Sequence, residues 1–462
     1  MAIGRRIFLR QAALLGAIRS GTAQSRSSRS LESRLIDALD SFDIFDSHEH
    51  FWEEAKRTSD PCDFFKIAED YALSDIISAG ATPDAQRLIR DSKAADDDRW
   101  RAFEPFWKFA RYTGYGQALR IAARDIYGIE AISGATIARL NAAIRVRNKP
   151  GLYREIITRQ SRIRACVQDD YWNATPRPSD QGYYVSARRF DRFIVPGTPE
   201  DIKALEKLTD TSIVDLRTLK QATARSFEQN LAAGMATVKV GLAYMRELLF
   251  HEISGTDAAR DFEALMRRER PIPEGFRRNM VRPFRNLEDH MLHYVVELAD
   301  AHGIPVQIHT GLHAGNRDVI TNSRPTLLTN VFLLHPKVQF DLFHISYPYQ
   351  AELCELTKSF PNVFADFCWA YVISPATAAR TLDEFLDTVP VNKIMGFGGD
   401  YHYPELSYAH LKIAKRIVAQ TLAARVTNGF CTEEEAVGIG RLLLHDNAEA
   451  LFLRGKRLPM KA

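Results

Sequence analysis

Two histidines that stand one residue apart end a short apolar segment near the start of the chain. The segment covers residues 43–50 and ends with His48, Glu49 and His50. In a β-strand, alternate side chains point to the same face, so His48 and His50 would project together while Glu49 points away. Imidazole is a common ligand of divalent transition metals. The pair therefore predicts half of a metal site, whose other ligands must come from later in the chain.

Residues of suitable chemistry follow later apolar segments, namely Lys239, His309, His344 and Asp400. Histidine and carboxylate are ligand types that suit zinc, manganese or iron. Each residue also has a purely structural explanation, because a lone histidine after a strand is often a hydrogen-bonded core residue and an aspartate there often caps a helix. Lys239 would equally suit a substrate carboxylate or a buried ion pair. A metal centre is favoured because all these residues end strands of one predicted sheet.

The elements that would position these residues are segments with strand character, most of them joined by helical segments. The strands are predicted over residues 43–50, 163–168, 189–195, 236–242, 306–309, 338–344, 363–367 and 393–398. Repeated β–α alternation predicts an α/β fold with a parallel sheet, and this number of units predicts closure into a (β/α)8 TIM barrel. A doubly wound open sheet is the alternative, but no glycine-rich dinucleotide-binding loop follows the first strand.

A long helical insertion is predicted directly behind the histidine pair. Residues 53–158 show helical spacing and little strand character. Their aromatic side chains are expected mainly to form the core between the helices. An insertion at this point would be placed to cover the site as a lid. The barrel, with this insertion, is predicted to occupy residues 31–455.

The composition excludes several kinds of function. A net charge of +3 over 462 residues argues against nucleic acid as the main partner. No apolar run approaches the roughly 20 residues that a membrane span needs. Five scattered cysteines without a CxxC pair predict buried free thiols and not a disulfide framework. A small-molecule substrate is the expected partner, and a homo-oligomer remains open.

The first residues, 1–30, are predicted to be a targeting segment and linker outside the fold. Arg5 and Arg6 precede a weakly apolar stretch, and a small-residue cleavage site lies near Ala23. This order is typical of a bacterial twin-arginine export signal, which would place the protein in the periplasm or outside the cell. The alternative is a disordered basic tail on a cytoplasmic protein, since Arg19 shortens the apolar stretch.

Four blocks of the sequence resemble the amidohydrolase superfamily of metal-dependent barrels. They are residues 44–50, 304–312, 340–348 and 396–400, which contain the order His-x-His, His, His, Asp. The resemblance is to the amidohydrolase-related branch, which is similar to uronate isomerase and to the barrel half of fungal and plant proteins fused to glutamine synthetase. It covers residues 31–455 and implies a metal-dependent (β/α)8 barrel.

The resemblance also implies roles for individual residues. The implied metal ligands are His48, His50, His309 and Asp400. Asp400 would in addition be the base that takes a proton from metal-bound water. His344 would bind a second metal or polarise the carbonyl group of the substrate. Lys239 stands where some members carry a carbamylated lysine between two metals, so the resemblance leaves open one ion or two, with zinc expected and manganese or iron as alternatives.

Substrate contacts are expected from residues that follow the predicted strands, namely Trp52, Tyr171, Trp172, Tyr244, Arg246 and Trp369. Aromatic side chains and an arginine at a barrel mouth indicate a small polar ligand, such as a carboxylate. Loop packing is the equally weighted alternative. Asp46 and Glu49 are candidate acceptors for the ring N–H groups of the histidines, and Asp46 is favoured because it shares their face of the strand.

These observations predict a metal-dependent hydrolase that uses metal-activated water on an amide, ester or lactone bond of a small polar molecule. The first alternative is a uronate-type isomerase or a non-oxidative decarboxylase on the same barrel. The second is a non-catalytic protein that keeps the metal and lacks a productive pocket. Products distinguish the reactions, because hydrolysis consumes water and yields two products whereas isomerisation does neither.

Overall fold

The structure is a computed structural model that describes residues 29–171, 182–271 and 281–454. Within these ranges, eight parallel strands follow one another in chain order around a single sheet. They are β1 (Ile44–Glu49), β2 (Ile163–Asp169), β3 (Tyr184–Arg189), β4 (Met235–Val240), β5 (Val306–Ile308), β6 (Phe340–Leu342), β7 (Val363–Asp366) and β8 (Ile394–Met395). The predicted (β/α)8 barrel is confirmed.

Main-chain hydrogen bonds connect the first strand with the segment that follows the last. The Ser47 N–H donates to the Phe397 carbonyl at 3.0 Å, and the Asp400 N–H donates to the His48 carbonyl at 2.8 Å. The strands therefore form a nearly closed barrel, in which the segment after β8 runs beside the end of β1.

One helix precedes the barrel, and a block of helices follows β1. The N-terminal helix is α1 (Leu31–Ser41), which begins where Ser30 accepts a hydrogen bond from the Ser33 N–H at 3.2 Å. The block comprises α2 (Glu54–Ser59), α3 (Phe64–Ala68), α4 (Ala72–Ser78), α5 (Pro83–Arg90), α6 (Asp96–Ala110), α7 (Gly114–Tyr127) and α8 (Ile137–Arg147). A π-helical segment, Arg154–Gln160, then leads into β2. The helical insertion predicted after the first strand is confirmed.

The remaining helices mostly connect consecutive strands on the outside of the barrel. They are α9 (Asp191–Ile194), α10 (Pro199–Thr209), α11 (Leu216–Ala232), α12 (Gly255–Met266), α13 (Arg285–Ala301), α14 (Thr329–Leu334), α15 (Gln350–Ser359), α16 (Ala370–Ile373), α17 (Pro375–Thr388), α18 (Pro404–Thr427), α19 (Glu433–Arg441) and α20 (Asn447–Leu453). Local sequence sets several of their ends. Thr198 and Asp201 form a capping box at the start of α10, with Pro199 in the first turn.

Apolar side chains fill the amino-terminal end of the barrel. Phe45, Val167 and Val185 belong to one buried cluster with Phe452 of α20, and the rings of Phe45 and Phe452 stack at 6.2 Å. This plug closes one end of the barrel, so chemistry is confined to the other end, where the strands finish.

Polar side chains occupy the interior nearer the carboxyl ends of the strands. Gln307 of β5 donates from Nε2 to Asp341 Oδ2 of β6 and to the Ser47 carbonyl of β1, at 3.0 Å in both cases. All three residues are fully buried. A hydrogen-bonded polar layer therefore replaces the usual branched apolar residues directly beneath the predicted ligands.

The third strand lies elsewhere than predicted. The sequence prediction of residues 189–195 is wrong, since β3 ends at Arg189 and residues Asp191–Ile194 form α9. Phe190, Phe193 and Ile194 are buried at helical spacing, which explains how this apolar run forms a helical turn. The correction places Arg189 at the carboxyl end of a strand, where functional side chains of a barrel converge.

Two predictions about the chain as a whole have clear outcomes. Within the described ranges, no helix combines the length and apolar character needed to cross a membrane. All cysteines are free thiols, and only Cys431 of the five is not buried. The twin-arginine motif at Arg5 and Arg6 lies outside the described residues.

Candidate metal centre

Three predicted ligands meet at the carboxyl end of the barrel. His48 and His50 come from the end of β1, and Asp400 comes from the segment after β8. One ligand atom from each lies within 4.8 Å of the others. Asp400 Oδ1 is 3.1 Å from His50 Nε2 and 3.8 Å from His48 Nε2. All three side chains are buried, so an ion held there would be shielded from bulk water.

Two further predicted residues lie beside these three. His309 follows β5, and His344 follows β6. His309 Nδ1 and His344 Nε2 are 3.1 Å apart, and His344 Nε2 is 3.8 Å from Asp400 Oδ2. Asp400 therefore directs one carboxylate oxygen towards the β1 histidines and the other towards His344.

Main-chain carbonyl groups determine which ring nitrogen of these histidines is free. The contacts are His50 Nδ1 to the Asp169 carbonyl at 2.9 Å, His344 Nδ1 to the Cys368 carbonyl at 3.0 Å and His309 Nε2 to the Leu312 carbonyl at 3.0 Å. A carbonyl oxygen only accepts, so the nitrogen that faces it carries the proton. The opposite nitrogens then carry lone pairs, and those of His309 and His344 face each other.

Burial keeps the imidazoles of His48, His309 and His344 neutral. Desolvation lowers the pKa of His48 and His309 well below the usual value and lowers the pKa of His344 to about 4. The positive charge of Lys239 adds to the effect on all three. Neither ring nitrogen of His48 has a hydrogen-bond partner within the described residues. Imidazoles that surround a carboxylate and still have an unprotonated ring nitrogen fit a divalent transition metal.

Asp400 is ionised and held in an unusual backbone conformation. Burial opposes its ionisation, but the neighbouring His50 and His344 and the positive charge of Lys239 outweigh burial and hold the pKa of the carboxyl below its usual value. Its φ of 59° lies in the left-handed region, which a non-glycine residue adopts at a cost. The carboxylate is thus fixed as an anion between the histidines.

Lys239 lies at the same end of the barrel, on β4. Its Nζ is 3.3 Å from the centre of the Phe343 ring, and burial together with the charge of Arg189 lowers its pKa to about 8. The negative charges of Asp400 and Asp169 oppose that shift. Lys239 is therefore a buried cation close to the site, and its role as a metal ligand stays a prediction.

Two residues of the site were not predicted from the sequence. Asp169 ends β2, and its Oδ2 is 3.9 Å from His48 Nε2 and 4.0 Å from His50 Nδ1. Arg189 ends β3 and donates to the same oxygen from Nε at 2.7 Å. Asp169 and Asp170 directly follow the second predicted strand, and this pair of acidic residues could have indicated Asp169 as a site residue. Arg189 was missed because the third strand was predicted to begin, and not to end, at that residue.

The aromatic residues predicted to contact substrate line the histidines. Tyr171 meets His50 edge to face at 5.4 Å, and Tyr244 packs on His309 at 4.6 Å. Trp52 stacks at 5.0 Å on His402, which itself stacks on His50 at 5.5 Å. These rings form walls around the histidines that are predicted to bind metal, and their contact with a substrate stays a prediction.

Trp369, the aromatic residue after β7, also reaches the site. Its ring is 5.1 Å from that of His344, and its Nε1 has no hydrogen-bond partner within the described residues. Trp172 was predicted as a substrate contact and lies outside the described residues.

Arg246 is engaged in a buried ion-pair network. Its guanidinium donates to Glu288 Oε2 at 2.8 Å, to Asp289 Oδ1 at 2.6 Å and to the main-chain carbonyls of Glu247 and Leu249. Arg246 and both acidic side chains are almost fully buried. These contacts give Arg246 a packing role beside α13, so a substrate contact by this residue stays a prediction that they do not favour.

Asp46 and Glu49 hold the main chain and not the histidine rings, so the prediction that they fix the tautomers is wrong. Asp46 Oδ1 accepts hydrogen bonds from the N–H groups of His48 and Gly399, each at 3.1 Å. Glu49 Oε2 accepts from the Tyr401 N–H at 2.9 Å. Both carboxyls thus join the end of β1 to the segment that carries Asp400, while main-chain carbonyls orient the rings.

The helical insertion reaches the site at one edge. The Tyr71 hydroxyl donates to the Asp400 main-chain carbonyl, and Asp70 Oδ1 is 2.6 Å from His402 Nδ1. Gly114 of α7 packs so closely on the Val372 carbonyl that a side chain would overlap it. These contacts make the insertion a docked wall of the site in this structure.

Comparison with known proteins agrees with this geometry. A family model described as Amidohydrolase matches residues 253–454. Protein fluG of Emericella nidulans is 28% identical over 160 residues, which are 34% of this chain and 18% of that protein. The alignment thus spans less than a fifth of the length of fluG.

Solved structures with the same fold include two sugar-acid isomerases. The uronate isomerase of Thermotoga maritima has a TM-score of 0.75 and 14% identity, covering 91% of this chain and 97% of that one. The glucuronate isomerase of Caulobacter crescentus has a TM-score of 0.73 and 15% identity, covering 92% and 94%. A proposed metal-dependent hydrolase of Lactobacillus casei has a TM-score of 0.65 and 18% identity, covering 92% and 99%.

At these identities the solved structures establish the barrel fold. The family model matches the part of the chain that carries His309, His344 and Asp400. The geometry adds the β1 pair, His48 and His50, in contact with Asp400. The chain is therefore similar to the amidohydrolase family over residues 253–454, and it shares its barrel fold with the two isomerases.

Proposed function

We propose that the protein is a metal-dependent hydrolase that cleaves an amide, ester or lactone bond of a small polar molecule. One observation carries the proposal, namely that a single ionised carboxylate, Asp400, stands between two pairs of buried histidines whose free nitrogens face it or each other. Such a cluster of lone pairs without a donor is what a divalent cation would satisfy.

His48, His50 and Asp400 would hold this ion, with zinc as the first expectation and manganese or iron as alternatives. A divalent ion at such a place supplies Lewis acidity and lowers the pKa of water to about 7. His48 is available because both of its ring nitrogens lack partners in the described structure. His50 is available at Nε2 because its Nδ1 is committed to the Asp169 carbonyl.

Asp400 would move the proton in the reaction. It is ionised, because His50, His344 and Lys239 together hold the pKa of its carboxyl low. A carboxylate so placed can accept a proton from the attacking water and return it to the leaving group. The left-handed backbone at Asp400 and its hydrogen bond to the His48 carbonyl fix the direction of this carboxylate.

Two cations beside the site would select a substrate with negative charge. Lys239 is buried on β4, and Arg189 is held by Asp169 at the end of β3. Tyr171 and Tyr244 pack on the histidines and would exclude water around the bound molecule. A small carboxylate with a hydrolysable bond is therefore the substrate class that the surroundings favour.

A uronate-type isomerase is the second candidate, favoured by the likeness in fold to the isomerases of Thermotoga maritima and Caulobacter crescentus. The same Asp400 would then move a proton between two carbons of one molecule. A non-oxidative decarboxylase would use the same cations to bind the carboxylate that leaves.

A panel of purified substrates tests the choice between these reactions. The panel holds N-acyl amino acids, small esters and lactones, hexuronates and aromatic carboxylates, with products identified by mass spectrometry. We expect the uptake of one water by an N-acyl amino acid, an ester or a lactone, with two products from an amide or acyclic ester and one ring-opened product from a lactone. Turnover of a hexuronate to an isomer of equal mass, with no hydrolysis in the panel, would contradict the proposal and support the isomerase.

We also propose that the protein is exported through a twin-arginine signal that includes Arg5 and Arg6. The support is the order of paired arginines, a weakly apolar stretch and small residues. Replacement of both arginines by lysine should move the protein from the periplasmic to the cytoplasmic fraction. A wild-type protein that is absent from the periplasm would refute the signal.

A further inference from the structure

We propose that the Cys368 thiol is a metal ligand and that Cys368, His344 and Asp400 form a second metal site beside the first. The inference rests on the metal dependence in the proposed function and adds a thiolate ligand and a second ion to it. One ligand atom from each residue, His344, Cys368 and Asp400, lies within 4.8 Å of the others. All three are buried, at 0%, 0% and 5% exposure, so the site is closed as a metal site should be.

Asp400 has the geometry of a bridge between two ions. Its Oδ1 lies 3.1 Å from His50 Nε2, and its Oδ2 lies 3.8 Å from His344 Nε2. Two oxygens of one carboxylate thus face two different groups of ligands. A bridging carboxylate would offset the repulsion between two divalent ions, because each ion meets one of its oxygens.

The pair of histidines gives an independent sign of a missing cation. His344 Nδ1 faces the Cys368 carbonyl, and His309 Nε2 faces the Leu312 carbonyl, so both of the remaining nitrogens carry lone pairs. These two nitrogens, His344 Nε2 and His309 Nδ1, are 3.1 Å apart. Two acceptors at this distance repel each other unless a proton or a cation lies between or beside them. A metal bound by His344 would remove this repulsion and would bring His309 within reach as a fourth ligand.

The surroundings of Cys368 hold its main chain and leave the thiol unused. Its N–H donates to Asp366 Oδ1 at 2.7 Å, and its carbonyl accepts from His344. Gly398 faces the side chain, where a Cβ would lie 2.8 Å from the Cys368 Cβ and 3.0 Å from its Sγ. A larger residue at position 398 would therefore collide with the Cys368 side chain, and glycine avoids this collision. No disulfide competes for it, since Cys368 is a free thiol.

A thiolate in the ligand set determines the kind of ion. On binding, the S–H bond of Cys368 breaks, a sulfur–metal bond forms and the proton leaves to the buffer. One sulfur, one or two imidazole nitrogens and one carboxylate oxygen suit zinc and other thiophilic ions, and they do not suit magnesium or calcium. The second ion is thereby assigned to Cys368 and not to a carbamylated Lys239.

Cadmium titration of the metal-free, full-length protein tests the second site. A thiolate-to-cadmium charge-transfer absorption in the ultraviolet reports a sulfur ligand directly. We expect the wild type to bind two equivalents of cadmium. Only the equivalent bound by Cys368 should produce the charge-transfer absorption. Cys368→Ser should bind one equivalent and lack the absorption. Cys354→Ser removes another buried thiol, on α15, and should behave as the wild type does.

A second measurement covers the case in which Cys368→Ser does not fold. X-ray absorption at the zinc edge of the zinc-loaded wild type should require one sulfur ligand for every two zinc ions, because only the second ion is bound by Cys368. Binding of only one equivalent, absence of the charge-transfer absorption in the wild type or its persistence in Cys368→Ser would overturn the inference.

The outcomes separate this inference from the proposed function. Two equivalents with a sulfur ligand but no hydrolysis anywhere in the substrate panel would contradict the hydrolase and leave the second site intact. Hydrolysis by a protein that holds one ion without sulfur would contradict the second site and leave the hydrolase intact.

Discussion

At the scale of single residues, main-chain carbonyl groups orient the histidines that are predicted to bind metal. Carbonyl groups at Asp169, Leu312 and Cys368 direct the ring protons of three histidines away from the centre. These carbonyls belong to strand ends and the turns after them, which sequence reasoning had not considered as ring partners. Prediction from side-chain types therefore named residues that do lie together at the barrel end, and it misassigned what orients the histidine rings.

Asp400 is the residue whose replacement should affect catalysis most. Asp400→Asn keeps the shape of the side chain and removes both its charge and its ability to accept a proton as a base. We expect kcat to fall by about 10²- to 10⁴-fold, the usual contribution of a general base. Steady-state kinetics on the substrate found in the panel would measure it, beside metal content.

The matched control for this variant is Asp318→Asn, which neutralises a carboxylate 3.6 Å from His313 on the loop after β5. It should retain kcat within a few-fold. Equal kcat values for Asp400→Asn and the wild type would remove Asp400 from the reaction.

His410 gives a prediction for the pH dependence of stability. It is fully buried on α18, and burial lowers its pKa to about 3. The hydrogen bond between its Nδ1 and the Gly399 carbonyl acts in the opposite direction and raises the pKa, but burial outweighs it. In the unfolded chain the pKa of this histidine is ~6.5. Between the native and the unfolded pKa of His410, the unfolded chain therefore binds more protons than the native state does. Stability from this residue is therefore present above pH ~6.5 and is lost as the pH falls towards about 3.

His410→Gln should weaken that dependence, because glutamine can still donate to the Gly399 carbonyl and does not titrate. The slope of the free energy of unfolding against pH should fall by up to about 1.4 kcal/mol per pH unit near pH ~4.5. Urea unfolding of both proteins between pH ~4 and ~7 would measure this difference. Parallel curves would show that His410 is not responsible.

At the scale of elements, prediction succeeded where apolar segments were bounded by clear turns. Strands β1, β2, β4 and β5 lie within a residue or two of their predicted positions, and the His309 and His344 blocks were placed correctly after their strands. The third strand was misplaced because Phe190, Phe193 and Ile194 form an apolar run that is equally compatible with a strand over so few residues. That error concealed Arg189 at the site.

The contact between the insertion and the barrel could not be predicted, because it depends on two elements distant in the chain. Gly114 at the start of α7 packs on the Val372 carbonyl of α16. The neighbouring Tyr115 stacks on Trp369 at 5.9 Å, and Trp369 contacts His344. The insertion is therefore linked to a predicted ligand through two aromatic rings.

Gly114→Ala tests this link between the elements. The new methyl group would overlap the Val372 carbonyl, so one element must shift, and we expect a loss of about 1–3 kcal/mol in the free energy of unfolding. Chemical denaturation would measure the loss. The control is Gly438→Ala in α19, where nothing lies within 4 Å of the added carbon.

The control should be neutral or more stable by about 0.5–1 kcal/mol, because alanine is the better helix former. If both variants were equally stable, the packing of α7 on α16 would contribute nothing to the fold.

At the scale of the whole molecule, the barrel explains how residues more than 350 positions apart form one site. Hydrogen bonds between β1 and the segment after β8 bring His48 and Asp400 together, and the polar layer formed by Ser47, Gln307 and Asp341 lies beneath them. The eight alternating β–α units in the sequence were enough to predict this closure. The substrate was not predictable, because its contacts come from loops and from an insertion whose placement depends on tertiary packing.

Metal analysis of the purified full-length protein tests the central claim most directly. The wild type, produced in zinc-supplemented medium and freed of loosely bound ions, should carry at least one equivalent of a transition metal by mass spectrometry. His48→Ala combined with His50→Ala should lose the ion of the first site while remaining folded by circular dichroism. A folded wild type that holds no transition metal, and binds none on titration with zinc, would contradict the account.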